Sequence, residues 1–303
     1  MKKITILLII LFSFPLAAIT PIDRQFLKGC EIGNLAVVKQ SLERGANMEA
    51  SQPILFEDKK VRGATCLIIS IVMRQNQVAK YILLQGANIN HSFDMYSNSK
   101  NTNISHLTPL HACVMSHNKK IFQALLVLGA DMSRKHDIRL PGRHIKNANI
   151  LLFCIVFKPS WIRYLLQSGV SVNTTVTLLD KEMKFKKISP LFFATMEQNI
   201  DLARKFIVAG ADVNQRADFK INERISTKNY TPLIYAAIDG NVKLVRLLLQ
   251  NGADPNIKGT GIRNGKKQTV TALGIAKRKK HYKVIELLKK WQVVRLLDQW
   301  RAK

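Results

Sequence analysis

The sequence predicts an all-α repeat solenoid of about seven helix-turn-helix units. Three observations carry that expectation: a helix-ending glycine that returns every 40 to 43 residues, a column of small side chains in step with it, and a recurring Thr-Pro helix start. Gly-Ala-Asp, Gly-Ala-Asn or a close variant follows an apolar helix at Gly45, Gly86, Gly129, Gly169, Gly210 and Gly252. Each glycine stands where a helix must close in a left-handed conformation, which glycine alone reaches without steric cost.

The other elements follow by counting from these stops. Nineteen residues upstream lie Phe26, Leu67, Leu110, Leu191 and Leu233; the fourth unit reaches Leu151 with one residue fewer, a loss assigned to its Pro159-Ser160 turn, and the last unit supplies Leu273. Three residues beyond that column stand Gly29, Ser70, Cys113, Cys154, Ala194, Ala236 and Ala276, all small. Small side chains at one helical position imply that helices of successive units approach closely there. The Thr-Pro start caps a helix with its hydroxyl and places a residue without an N–H in the first turn. Second helices show core spacing, as in Val242, Val245, Leu248 and Leu249, or Ile121, Leu125 and Leu126.

These residues resemble the ankyrin repeat family, whose Thr-Pro-Leu-His-x-Ala signature is nearly whole from Thr108 to Cys113, with weaker copies at Ser189, Thr231 and Thr271. The resemblance covers residues 23 to 290 in seven units. The fourth departs from it, reading Asn149-Ile150-Leu151. The seventh lacks the closing Gly-Ala and continues through Trp291 towards Trp300, as suits a terminal cap. The units exceed the family's usual length of about 33 residues. The excess lies in segments such as 91–107, 134–148, 174–188 and 215–230, where the resemblance implies extended β-hairpin fingers; Thr174 to Leu179 has β-forming composition in its own right. The expected organisation is a leader over 1–20, the repeat domain over 21–290 and a helical cap or tail over 291–303.

Lys and Arg number 47 against 20 Asp and Glu among 303 residues, a net charge of +27. With 47% apolar residues the chain can build a core, and it does not read as disordered. The surplus attracts polyanions: anionic lipid, lipopolysaccharide, nucleic acid or an acidic protein. Residues 134–148 carry a net +4, residues 257–270 another +4 and residues 277–303 a net +8, which reads either as solvated loops or as a positive rim. At the start, Lys2 and Lys3 precede an apolar run from Ile4 to Leu16 and the small residues Ala17 and Ala18, the pattern of a cleaved bacterial-type secretory signal. A periplasmic or secreted protein is expected, with anchoring to the inner membrane by an uncleaved N-terminus as the alternative. Export makes nucleic acid an unfavoured partner.

No catalytic constellation stands out. There is no phosphate loop, no Gly-x-Ser-x-Gly and no paired acids in one motif, so the chain reads as a non-enzyme with no cofactor or metal. Asp131, Asp212 and Asp254 sit at helix stops and read as turn formers. Cys30, Cys66, Cys113 and Cys154 read as four free, buried, small apolar residues. Cys113 and Cys154 share one helical position in neighbouring units, where packed helices lie about 8–10 Å apart and a disulfide needs α-carbons within about 7 Å. Cys30 and Cys66 fall at different positions, and no Cys-x-x-Cys spacing exists. His136 and His144 fall in one basic finger with no carboxylate pair to complete a metal site. The resemblance implies a structural hydrogen bond for His111.

The expected function is protein–protein binding by a monomeric, preformed scaffold that offers its concave face and basic fingers. By the resemblance, the contact positions follow the small column: Val72, Met73, Met115, Ser116, Met196, Glu197, Ile238, Asp239, Arg278 and Lys279, joined by Arg139 and Arg143 from a finger. The alternatives are a basic protein that coats anionic lipid or lipopolysaccharide, and a secreted effector directed at a host cell.

Overall fold

A computed structural model describes residues 19–97, 102–180 and 183–301, with side chains as far as 293. The leader assigned to 1–20 lies outside the described residues but for its last two positions, and so does the side chain of Trp300. Seven pairs of helices follow one another among the described residues. They are α1 (Pro21–Ile32) with α2 (Leu35–Glu43), α3 (Cys66–Val72) with α4 (Asn76–Leu84), α5 (Pro109–Ser116) with α6 (Lys119–Val127), and α7 (Ile150–Phe157) with α8 (Ile162–Gln167). The row continues with α9 (Pro190–Met196) and α10 (Ile200–Val208), α11 (Pro232–Asp239) and α12 (Val242–Gln250), and α13 (Ala272–Lys279) and α14 (Tyr282–Arg301). The Pro159-Ser160 turn of the fourth unit is a 3-10 segment, Pro159–Trp161. No helix among the described residues is long and apolar enough to cross a membrane.

Each pair is built by local rules that the sequence spells out. The hydroxyl of Thr231 accepts the N–H of Ile234 at 3.3 Å, and Ser189 does the same for Phe192 at 3.1 Å. Asn149, where the fourth unit departs from Thr-Pro, caps its helix just as well through Leu152 N–H at 3.2 Å. The second helix ends on the predicted glycine: Ala253 N–H reaches Leu248 C=O at 3.0 Å across Gly252, whose φ is +87° and whose missing Cβ would have met nothing. The requirement at that stop is conformational and not one of space.

The small column also marks where the helix hairpins close. In six of the seven units the N–H that reverses the chain bonds back to the carbonyl of the small residue. Asn34 reaches Gly29 at 2.9 Å, Gln75 reaches Ser70 at 2.7 Å, and Asn241 reaches Ala236 at 3.2 Å. A Cβ on Gly29 would meet Val37 Cγ1 of the same unit's second helix at 3.0 Å. At Gly29 the side chain must therefore be small for the hairpin to close within its own unit.

Two cysteines correct the sequence reading. Cys30 and Cys66 form a disulfide with α-carbons 5.5 Å apart, joining α1 to the first residue of α3. The expectation set this pair aside because the two fall at different positions of their units. Different positions on neighbouring helices can face each other, and the spacing of helix axes does not bound the distance between α-carbons. Those on facing sides of two helices are nearer by both helix radii, about 2.3 Å each. Cys113 and Cys154 are free and buried as expected.

The segments between the pairs form six β-hairpins: β1 (Ser51–Phe56) with β2 (Lys59–Thr65), β3 (Phe93–Ser97) with β4 (Thr102–Leu107), β5 (His136–Leu140) with β6 (Arg143–Ala148), β7 (Val176–Asp180) with β8 (Met183–Ile188), β9 (Ala217–Lys220) with β10 (Ile225–Tyr230), and β11 (Gly259–Arg263) with β12 (Lys266–Val270). They do not project singly. Every hairpin pairs antiparallel with the next, giving one twelve-stranded sheet in sequence order. "All-α" therefore describes only the helical layer. Because side chains alternate across a strand, one face of the sheet is apolar. A single cross-strand row runs Ile54, Val61, Met95, Ile104, Ile138, Ile145, Leu178, Phe185 and Phe219. It then turns to Thr227, Gly261 and Gln268 on the last three strands. The other face carries Lys60, Tyr96, Asn103, Arg139, His144 and Lys184 in the adjacent row.

The loops after the helix stops are stitched from unit to unit. Asn90 accepts Asp131 N–H at 2.8 Å, Asn173 accepts that of Asp212 at 2.8 Å, and Asn214 accepts that of Asp254 at 2.9 Å. The same three aspartates each accept an N–H two residues on, the turn-forming role their positions predicted.

Candidate functional site

A groove of about 470 Å³ runs between α5 and the first three hairpins. Its walls are apolar: Phe56, Met95, Ile104 and Leu140 come from strands, Val114 and Met115 from α5, and Phe157 from the end of α7. Phe157 is 37% exposed. Alternation puts the strand residues on the helix side of the sheet, and the C-terminal ends of the first helices bring the rest.

The polar rim of this groove carries little free charge. Burial opposes the charge on Lys59, but the Glu57 and Asp58 carboxylates at 2.8 and 3.4 Å outweigh it and hold the ammonium above its ordinary range. Burial, followed by the nearby charges of Lys158 and Arg74, pushes the His117 imidazole below its ordinary value, so it is neutral at neutral pH.

The positions named from sequence divide into three sets. Val72 and Ser116 are buried and offer no surface: Val72 packs in the core, while Ser116 donates its hydroxyl to Ala112 C=O at 2.8 Å. Both lie on the side of the first helix that turns inward, which a fixed offset from the small column does not distinguish. Met73, Met115, Met196 and Ile238 are half-buried against the core. Glu197, Asp239, Arg278, Lys279, Arg139 and Arg143 are exposed. Only Met115 of the twelve lines the apolar groove.

The two finger arginines are not brought together. Arg143 pairs with Asp180 on the neighbouring hairpin at 2.9 Å. Arg139 lies on the other face of the sheet, in a polar cleft with Arg62, Asp94 and Tyr96. Phe157 was legible, since it stands at the same offset from Cys154 as Met73 does from Ser70. The strand residues were legible only through period-two alternation in the fingers.

The interior holds polar groups of its own. Thr108 donates its N–H to His111 Nδ1 at 3.1 Å, the structural bond expected of that histidine. The His111 ring stands edge-on to His136 at 4.4 Å and to Phe153 at 4.9 Å. His136, placed in an exposed finger by the sequence reading, is buried instead, because alternation turns it inward with Ile138. Burial pushes the thiol of Cys154 up to about 12 and that of Cys113 well above its ordinary value, so both remain protonated and poor nucleophiles. Among the described residues no three His, Cys, Asp or Glu side chains are grouped to hold a metal ion.

Paired antiparallel helices, closed by left-handed glycines and linked by hairpins into a single row, define a helical repeat solenoid. A family model for ankyrin repeats in three copies matches residues 27–136, 151–259 and 191–295. The chain belongs to the ankyrin repeat family. Such repeats generally mediate protein–protein interaction and are typically non-catalytic scaffolds. No curated protein matches the chain. Among solved structures it is similar to the ankyrin repeat domain of Bcl-3, a member of the IkappaB protein family, at 18% identity and a TM-score of 0.53, covering 89% of this chain and 98% of that one. The human ASB11 ankyrin repeat domain is similar at 19% identity, with a TM-score of 0.47 and coverage of 89% and 97%.

Proposed function

We propose that this chain is an exported, non-catalytic scaffold of about seven repeats that seats a partner protein in the apolar groove between its fingers and its first helices. The observation that carries the reading is the groove itself: on a chain with a net charge of +27, its walls are apolar and its rim is nearly neutral. A preformed concavity of that chemistry suits large apolar side chains of a partner, and a rigid scaffold loses little entropy on docking. Export is supported by the N-terminal pattern of lysines, apolar run and small residues, and by the Cys30–Cys66 disulfide, which persists in oxidising compartments such as the periplasm or the exterior. N-terminal sequencing of protein recovered outside the cytoplasm checks the leader; a chain that still begins at Met1 overturns its cleavage.

The groove is tested by partner capture at high salt with the wild type and with Met115→Asp. A stoichiometric protein bound by the wild type and weakened at least about tenfold by the substitution is expected. Capture that is indifferent to the substitution sinks the reading. The charge favours a second reading, a coat for anionic lipid or lipopolysaccharide. It predicts binding that collapses between low and physiological salt and ignores Met115.

A further inference from the structure

The two ends of the twelve-stranded sheet are unlike. An outermost strand leaves N–H and C=O groups unpaired along its free side, a template for another strand. At one end β1 carries Pro53, which has no N–H, and its register with β2 breaks between Gln52 and Ile54. That edge is blunted twice. At the other end β12 holds neither device: it runs against β11 from Gly259–Val270 to Arg263–Lys266 without a register break, and four of its five residues are exposed.

The surroundings of β12 have one sign of charge. A groove of about 1110 Å³ lies between the last strands and α13, where the apolar row of the sheet has given way to Thr227, Gly261 and Gln268. Arg263, Lys266, Lys267, Arg278 and Lys279 line it, and no carboxylate does. Arg278 is held over the edge by a hydrogen bond to Gln268 Oε1 at 2.6 Å.

We propose that β12 is a strand-addition site for an extended acidic segment of a partner protein. The segment pairs its backbone with the free side of Lys266–Val270 as a thirteenth strand, and its alternate carboxylates meet the cations of the groove. Like charge opposes a second copy of this chain: β12 against β12 brings two basic, carboxylate-free grooves to one seam, and the opposite edge is closed by Pro53. The inference rests on the scaffold reading in taking a protein as partner, but it concerns the other end of the solenoid and is measured without the partner of the apolar groove.

The test uses the mature protein and a fluorescent peptide of roughly ten residues alternating Glu and Thr, long enough to span β12. Two further peptides carry N-methyl groups on the odd or on the even backbone nitrogens, keeping the charge and removing alternate pairing groups. Anisotropy is expected to show binding of the parent, a loss of at least about tenfold for one methylated peptide and little change for the other. Residues 266–270 gain protection from amide exchange, and the exposed substitution Lys267→Glu weakens the parent. No binding of the parent overturns the proposal. Equal behaviour of the two methylated peptides, whether both bind or both fail, overturns it too, and equal retention identifies docking by charge alone. Failure here leaves the result at Met115 standing.

Discussion

Removing the Cys30–Cys66 disulfide is expected to destabilise the N-terminal end of the solenoid by roughly 4 kcal/mol, the chain-entropy value for a closed loop of this length. The bond spans 36 residues and ties the first unit to the second. In a repeat stack each unit leans only on its neighbours, and the first has a neighbour on one side alone. It therefore has least to lose before it separates. Urea unfolding with and without reductant, followed by native-state amide exchange, checks this. The reduced protein, or the Cys30→Ala/Cys66→Ala double variant, should lose protection first in α1 and α2, with the central units little changed. Superimposable unfolding curves under the two conditions refute it. Cys113 and Cys154 contribute nothing to the difference, being reduced in both states.

The second large effect is acid sensitivity from the buried His111–His136 pair. His136 is 3% exposed, and its ring nitrogens make no hydrogen bond of good geometry beyond a weak contact with the Arg134 backbone. Burial pushes its imidazole down from 6.5 to about 4, against the opposing carboxylate of Asp137. Burial, then the charges of His136 and Arg134, also lowers His111 well below its ordinary value. Below pH about 6.5 the unfolded chain takes up protons that the folded chain refuses, so stability is complete above that pH and falls as the pH drops towards about 4. For His136 alone the loss is about 3 kcal/mol, and His111 adds to it with the same sign. Urea midpoints measured at pH 7, 5.5 and 4 read it directly. The substitution His136→Phe should flatten the decline; a variant as acid-sensitive as the wild type shows that the pair is not its cause.

What was legible in the sequence is what local chain geometry dictates. A left-handed helix stop needs Gly252 and its equivalents, a helix start needs Thr231 or Asn149, and a hairpin that closes over its own carbonyl needs Ala236 or Gly29. These requirements act within a few residues and so leave a periodic mark. The fusion of six fingers into one sheet acts, along the cross-strand row, between residues 33 or 34 apart, where the pairing of Ile145 with Leu178 leaves no mark beyond alternation in each strand. The buried position of His136 was masked by charged neighbours at Arg134, Lys135 and Asp137, although period two would have turned it inward with Ile138 and Leu140. Of the groove's lining, the offset from the small column reached Met115, and it also picked the buried Val72 and Ser116. A position on a helix predicts its facing only once the helix's neighbours are placed.

Joined on one side by packed helices and on the other by a ladder of strands, the solenoid is a laminate, and a laminate flexes less than either ply. To change the curvature of the row, the inter-hairpin hydrogen bonds must stretch while the helix stack compresses, or the reverse. A row so joined resists bending, and for the scaffold proposed above this means that a partner must fit the shape the row already has.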